Sequence, residues 1–295
     1  MLTQELARPP TAEEAFAHCR RIALSHSENF SIASWLLPRA IRPHMYSVYA
    51  YCRGVDDLGD EAEGDRLALL DEWEAELRRC YEGSAQDARF VALAETVRAF
   101  DLPMEPLLRL IEANRQDQRV NRYETFSDLL EYCTYSANPV GHLLLYLFGY
   151  RDGERQRLSD ATCTALQLTN FWQDVTRDLA KDRVYIPRED METFGCSEAD
   201  LREGLSSEAM RRLMAFQVLR TRQLFAAGLG LVPRVSGRFR VDLKLFSLGG
   251  LAVLDAIESA GYDVLSRRPR LSRSRKALLV ARALLPMRIR VRGVL

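Results

Sequence analysis

The chain has 295 residues, 47% of them hydrophobic, which is enough apolar material for one large core or two small ones. Lys plus Arg and Asp plus Glu both total 41, a formal neutrality that argues against a nucleic-acid binder held by counterion release. The balance is uneven, since residues from 266 onward include ten Lys or Arg and no Asp or Glu, leaving an acidic body and a basic tail.

Helical periodicity dominates, and no series of alternating strand-length runs competes with it. A first helix is predicted over 12–25, with Thr11 as N-cap and Glu14 as its capping-box partner. The stretch SENFSIASWLLPRAIRP then breaks the pattern, closed by Pro38 and Pro43. A second helix, 44–58, runs from the apolar MYSVYAYC into CRGVDDLGDE. Helices at 65–82, 86–100 and 104–121 follow, the last opened by Pro103 behind Asp101. TFSDLLEYC starts another, with Thr125 as N-cap and Asp128 as box partner, and Pro139 kinks or breaks it by removing a backbone donor. A long helix spans 155–180, and DRVYIPREDMETFG is read as irregular. Helices near 206–228, 240–262 and 272–285 complete the chain, the last one basic and amphipathic. With no low-complexity linker and no solenoid repeat, the expectation is a single all-α domain over 1–295 with a basic tail from about residue 266.

The six cysteines are widely spaced, with no C-x-x-C pair, and suit reduced thiols of a cytoplasmic protein. The first residues lack the basic and apolar regions of a signal peptide. No stretch of about 18 uncharged apolar residues suggests a membrane span, so a soluble or peripheral chain is expected.

The chemistry lies in two acidic stretches. Asp56 and Asp60 are four apart and share a helix face, with Asp57 beside it. Like charges at this spacing destabilise an isolated helix by about 0.2–0.5 kcal/mol, so some ligand or partner must offset them. NFWQDVTRDLAKDR repeats the spacing: Gln167, Asn170, Asp174 and Asp178 form a polar stripe on a helix that otherwise carries Leu166, Leu168, Phe171 and Trp172. One such pair alone reads as a solvated helix face. Two pairs, each behind an aromatic run and each near basic residues (Arg53; Arg177, Lys181 and Arg183), match a diphosphate held through Mg²⁺. Magnesium takes one or two protein carboxylates and completes its shell with water and phosphate oxygens, while arginine grips the anion through paired hydrogen bonds. Apolar, aromatic surroundings point to a hydrocarbon diphosphate, whose ionisation leaves a carbocation that aromatic faces stabilise.

Taken in order, HSENFSIASWLLP, VYAYCRGVDDLGDE, FSDLLEYCTYSANPVG and LQLTNFWQDVTRDLAKDRVYIP resemble the squalene and phytoene synthases, the head-to-head class of trans-prenyltransferases, from about residue 16 to 280. The resemblance implies an all-α isoprenoid-synthase helical bundle with two aspartate motifs facing a central cavity. It places Asp56 and Asp60 in the first Mg²⁺ motif and Asn170, Asp174 and Asp178 in the second, the four aspartates being the catalytic set and Asp57 a further candidate ligand. His26, Tyr49, Arg53 and Gln167 match positions that contact the prenyl diphosphate, and Arg183 and Tyr185 fall in an R-x-Y-x-P segment beyond the second motif.

Within the family, ENFSIASWLLP, SANPVG and RRPRLSRSRKALL are similar to a bacterial hopanoid-pathway branch. That branch converts presqualene diphosphate to hydroxysqualene by loss of diphosphate and capture of the cation by water, without a reductant. Presqualene diphosphate synthase, NADPH-dependent squalene synthase and phytoene synthase share the aspartates. A non-catalytic lipid-binding or assembly factor would be free to lose them, and both pairs are intact.

Several residues keep two readings. Asn138 either positions the attacking water or shapes a kinked helix with Pro139, and His26 either touches diphosphate or caps a helix. His44 and His142 read as structural, and Trp35, Trp73 and Trp172 as core, with Trp172 the best cavity candidate among them. Gly249-Gly250 stands where relatives often have an aromatic, and Gln173 where some have a basic residue. The basic tail is either a solvated helix end or a contact to anionic lipid, where each cation contributes roughly 1 kcal/mol. The expected location is the cytoplasm, peripheral to the inner face of the plasma membrane.

Overall fold

The computed structural model describes residues 10–25, 38–286 and 289–294, and among these the chain is helical with no strand. It divides into two compact units, Met1–Gln118 with Leu143–Tyr150, and Arg119–His142 with Arg151–Leu295.

The first unit holds α1 (Ala12–Ser25), α2 (Arg42–Asp60), α3 (Arg66–Glu82), α4 (Ala88–Phe100) and α5 (Glu105–Gln116). Thr11 and Glu14 form the expected capping box, with Thr11 N donating to Glu14 Oε2 at 2.7 Å and Glu14 N to Thr11 Oγ1 at 3.3 Å. Small residues of α1 (Ala15, Cys19 and Ala23) pack on Tyr46 and Ala50 of α2 and Ala92 of α4. The inner side of α2 is anchored by Tyr51, which is fully buried and donates to the Leu107 carbonyl of α5 at 2.9 Å. Leu70, Leu77, Phe90, Leu93 and Ile111 complete this core at 0–1% exposure, each side chain contributing about 1.5–3 kcal/mol on burial. The core leaves the opposite side of α2 for its charges.

The second unit holds α6 (Phe126–Ser136), the start of α7 (Asn138–Leu147), α8 (Gly153–Ala180), α9 (Arg188–Phe194), α10 (Glu198–Glu203), α11 (Glu208–Gly228), a 3-10 turn (Leu229–Arg234), α12 (Gly237–Ser259) and α13 (Arg273–Leu284). The Thr125–Asp128 capping box is present, and the helix breaks where Pro139 predicts, between Ser136 and Asn138. Long α8 lies against α11 and α12. Trp172, fully buried, donates through Nε1 to Thr221 Oγ1 of α11 at 2.8 Å. It is a core residue here, not a cavity wall.

Two expectations are corrected. The helix predicted to reach residue 121 ends at Gln116, because the following backbone turns to pair with the segment after α8: Val184 N donates to the Asn121 carbonyl and Arg188 N to that of Tyr123, both at 2.9 Å. The stretch read as irregular contains α9, preceded by Pro187 at its N-cap and carrying Glu189 and Asp190 in its first turn, where they complement the helix dipole.

Candidate active site

On α2, spacings of four, three and four bring Tyr49, Arg53, Asp56 and Asp60 onto one stripe. The Asp56 side chain is solvent-accessible yet closely surrounded by protein. This desolvation pushes its pKa up to about 7; a hydrogen bond from Asn114 opposes the rise, and the charge of Asp60 one turn on adds to it. Arg53 Nη2 lies 2.5 Å from Asp57 Oδ1 and 3.1 Å from Glu61 Oε1. The neighbouring acids thus hold the guanidinium ready on the same face.

Helix α5 braces this motif. Buried Asn114 donates to the Leu110 carbonyl at 3.0 Å and reaches Asp56 Oδ1 at 3.5 Å, while Gln118 Nε2 donates to the carbonyls of Gly59 and Asn114, both at 3.0 Å. The approach requires glycine at position 59, where a Cβ would lie 2.1 Å from Asn114 Oδ1. Gly59→Ala is therefore expected to destabilise the chain by about 1–3 kcal/mol in urea unfolding, despite the better helix propensity of alanine. In an Asn114→Ala background the same substitution should cost less, since only the Cβ at 3.1 Å remains to be met. Equal costs in both backgrounds would show that Asn114 is not what the new methyl meets.

On α8 the stripe Gln167, Asn170, Asp174 and Asp178 forms as expected, with Asn170 exposed and the other three half-buried. The helix leaves α geometry at Asp174, with φ −108° and ψ 16°. There Arg268, from the segment between α12 and α13, pairs with both carboxylate oxygens, Nη2 lying 2.9 Å from Oδ2 and Nε bonding Oδ1. Gln173 supports the contact, accepting from Arg268 Nη2 at 3.2 Å and donating to the Pro269 carbonyl at 2.6 Å. Sequence reasoning missed Arg268. The available signal was Gln173 itself, a neutral side chain where some relatives place a cation, which left that charge to come from elsewhere.

The segment after α8 is pinned twice. Arg122 bonds Asp182 Oδ1 at 2.7 Å and Glu198 at 2.7–2.8 Å, and these hydrogen bonds, joined by Arg202, hold the Glu198 carboxyl down at about 2. Tyr185 is buried and stacks on Phe171 with ring centroids 3.7 Å apart and planes 8° from parallel, beside Tyr123 and Tyr132. A small cleft next to this stack is lined by Val175, Asp178, Arg183 and Tyr185. Arg183 and Asp178 thus share one wall, while Tyr185 holds the wall in place.

Asn138 is buried at the start of α7, where its Oδ1 accepts from Thr164 Oγ1 of α8 at 3.0 Å. His142 meets Asp160 at 2.7 Å, and His44 meets Thr96 at 3.1 Å between the rings of Phe16 and Phe100. His26 and Trp35 lie outside the described residues. At Gly249-Gly250 the space beside the second glycine is taken by α11: a Cβ at Gly250 would lie 2.3 Å from the ring of Phe225.

Among the described residues, no group of three or more Asp, Glu, His or Cys side chains forms a ready-made cage for a metal. Two carboxylates per helix is nevertheless the donor set Mg²⁺ uses when phosphate oxygens complete its shell, so these residues fit that ion.

The sequence pattern described as squalene/phytoene synthase matches residues 23–275. The chain is a member of the squalene/phytoene synthase family. Its sequence is 53% identical to that of squalene synthase HpnC from Alicyclobacillus acidocaldarius, whose crystal structure compares at a TM-score of 0.83 over 85% of this chain and 96% of that one. A dehydrosqualene synthase solved with a ligand is 27% identical at a TM-score of 0.85, over 92% and 96% of the two chains. The 15-cis-phytoene synthase of Synechococcus elongatus is 32% identical over 286 residues, 91% of this chain and 93% of that protein. A squalene/phytoene synthase is an isoprenoid-synthase enzyme that acts on prenyl diphosphates, and the all-helical fold accords with this. No helix among the described residues is long and apolar enough to cross a membrane.

Proposed function

We propose that the chain is a hydroxysqualene synthase, converting presqualene diphosphate and water to hydroxysqualene and diphosphate in hopanoid biosynthesis. The observation that carries this reading is the 53% identity to HpnC in a chain whose two carboxylate pairs are intact. Asp56, Asp57, Asp60, Asn170, Asp174 and Asp178 are the proposed Mg²⁺ ligands. When bound, the ion neutralises the departing diphosphate. Arg53, Arg183 and Arg268 supply hydrogen bonds to the diphosphate oxygens, with His26, Tyr49 and Gln167 as further contacts. The carbon–oxygen bond breaks with both electrons leaving on diphosphate, the cyclopropylcarbinyl cation rearranges, and water adds its oxygen and gives up a proton. Electrons balance without NADPH. The Asn138–Thr164 hydrogen bond favours a framework role for Asn138 over water positioning. Lyase chemistry on so apolar a substrate suits a cytoplasmic enzyme peripheral to the inner face of the plasma membrane.

The phytoene synthases among the relatives support a second reading, condensation of two prenyl diphosphates. The two separate in one experiment: purified protein with Mg²⁺ and presqualene, farnesyl or geranylgeranyl diphosphate, with and without NADPH, and product identification by mass spectrometry. Hydroxysqualene from presqualene diphosphate alone is the expected result. Condensed product from farnesyl or geranylgeranyl diphosphate would overturn it, and absence of turnover on all three would favour a lipid-binding or assembly role.

A further inference from the structure

Helix α13 is amphipathic in an unusual sense, because the side turned away from the protein is also apolar. Its inner face packs Leu279 and Ala283 on Leu248 and Ala252 of α12. Both ends are fixed: Ser272 caps the first turn through Arg275 N at 3.2 Å, and the Lys244 ammonium bonds the Leu285 carbonyl just past the last turn. This is a held helix, not a fraying tail.

Its outer face carries Ala277, Leu278, Ala281, Leu284 and Leu285, all exposed. Leu278, Leu284 and Leu285 are 49%, 57% and 48% exposed, and they make up three of the eight large exposed hydrophobics among the described residues. Such clustering within eight residues is not the scatter of single apolar side chains that ordinary surfaces carry. Exposed cations lie along the chain on either side, Arg267, Arg270 and Arg273 before the patch and Arg290 and Arg292 after it, in a stretch without a single acid.

That charge pattern selects the occupant. A second copy meeting the patch through a two-fold axis would set these arginines against their own equivalents. An anionic bilayer satisfies both halves of the surface at once, accepting the leucines at the acyl boundary and the guanidinium groups among its headgroups. We propose that α13 is an interfacial helix that docks the chain on an anionic lipid surface, with Leu278, Leu284 and Leu285 inserted and the flanking arginines on the headgroups. The assignment is independent of which prenyl diphosphate the enzyme uses, so it survives or fails separately from the reaction above.

The test is sedimentation of the full-length chain with vesicles of phosphatidylcholine alone or with 30% phosphatidylglycerol. Binding is expected only to the anionic vesicles and should weaken with salt. Leu278→Ser/Leu284→Ser should reduce it at least tenfold, and Arg270→Glu/Arg273→Glu should abolish it, with thermal midpoint and turnover of detergent-dispersed substrate unchanged in both variants. Equal binding to the two vesicle types, or equal binding of the leucine variant and the parent, overturns the proposal. A change in mass by light scattering on mutating the leucines, without any change in vesicle binding, would make the face a contact between copies and also overturn it.

Discussion

Asp174→Asn is expected to lower turnover of the prenyl diphosphate by about 10²–10³-fold, the scale seen when one preorganised charge-stabilising group is removed. Asparagine keeps the shape of the side chain but removes the charge that pairs with Arg268 and that the proposed Mg²⁺ would require. Thermal stability should change little by comparison, since Asp174 and Arg268 are each more than a fifth exposed and such pairs contribute modestly to folding. Arg268→Gln provides the complementary measurement. With its competitor gone, Asp174 should bind Mn²⁺ or Mg²⁺ in the absence of substrate at least as tightly as in the parent, while KM for the diphosphate rises. Turnover within tenfold of the parent in Asp174→Asn, together with a large drop in midpoint, would make this carboxylate a structural residue and remove it from the proposed site.

The second large effect concerns stability. Asp242 on α12 is 3% exposed, and neither carboxyl oxygen has a hydrogen-bond partner. Burial pushes its pKa up to about 7, against a smaller opposing effect from Arg238. The folded chain therefore keeps this proton well above the pH at which the unfolded chain releases it. Stability linked to Asp242 is complete below about pH 4, falls as pH rises, and by pH 8 is lower by roughly 4 kcal/mol, from about 1.36 kcal/mol per pKa unit. Asp242→Asn cannot ionise, so it should flatten this slope and exceed the parent in stability at pH 8 by about 2–4 kcal/mol, while gaining little at pH 4–5. Urea unfolding at the two pH values measures the difference. Parallel slopes for parent and variant would locate the pH dependence in other groups.

Much of this molecule is legible in its sequence because helices write their faces at short range. The capping boxes at Thr11–Glu14 and Thr125–Asp128 and both carboxylate stripes follow from spacings of three and four, and the break follows from the missing backbone donor of Pro139. The short helices α9 and α10 escape such reading, since seven and six residues hold less than two full turns of amphipathic pattern. The end of α5 was illegible for a different reason: backbone pairing of 121–123 with 184–188, contacts some sixty residues apart, overrides local helix preference. Arg268 lies 94 residues from Asp174 and sits in a run whose overall basicity hides which cation has a specific partner. Asn114 was silent for the same reason, being recognisable only once Gly59 is seen beside it.

The Asp174–Arg268 pair places one of the chain's own cations on the second carboxylate stripe. A bare carboxylate pair on α8 would repel itself at the point where the helix is already bent, and the guanidinium cancels part of that charge. A Mg²⁺ ion at the proposed site would therefore compete with the Arg268 guanidinium for Asp174.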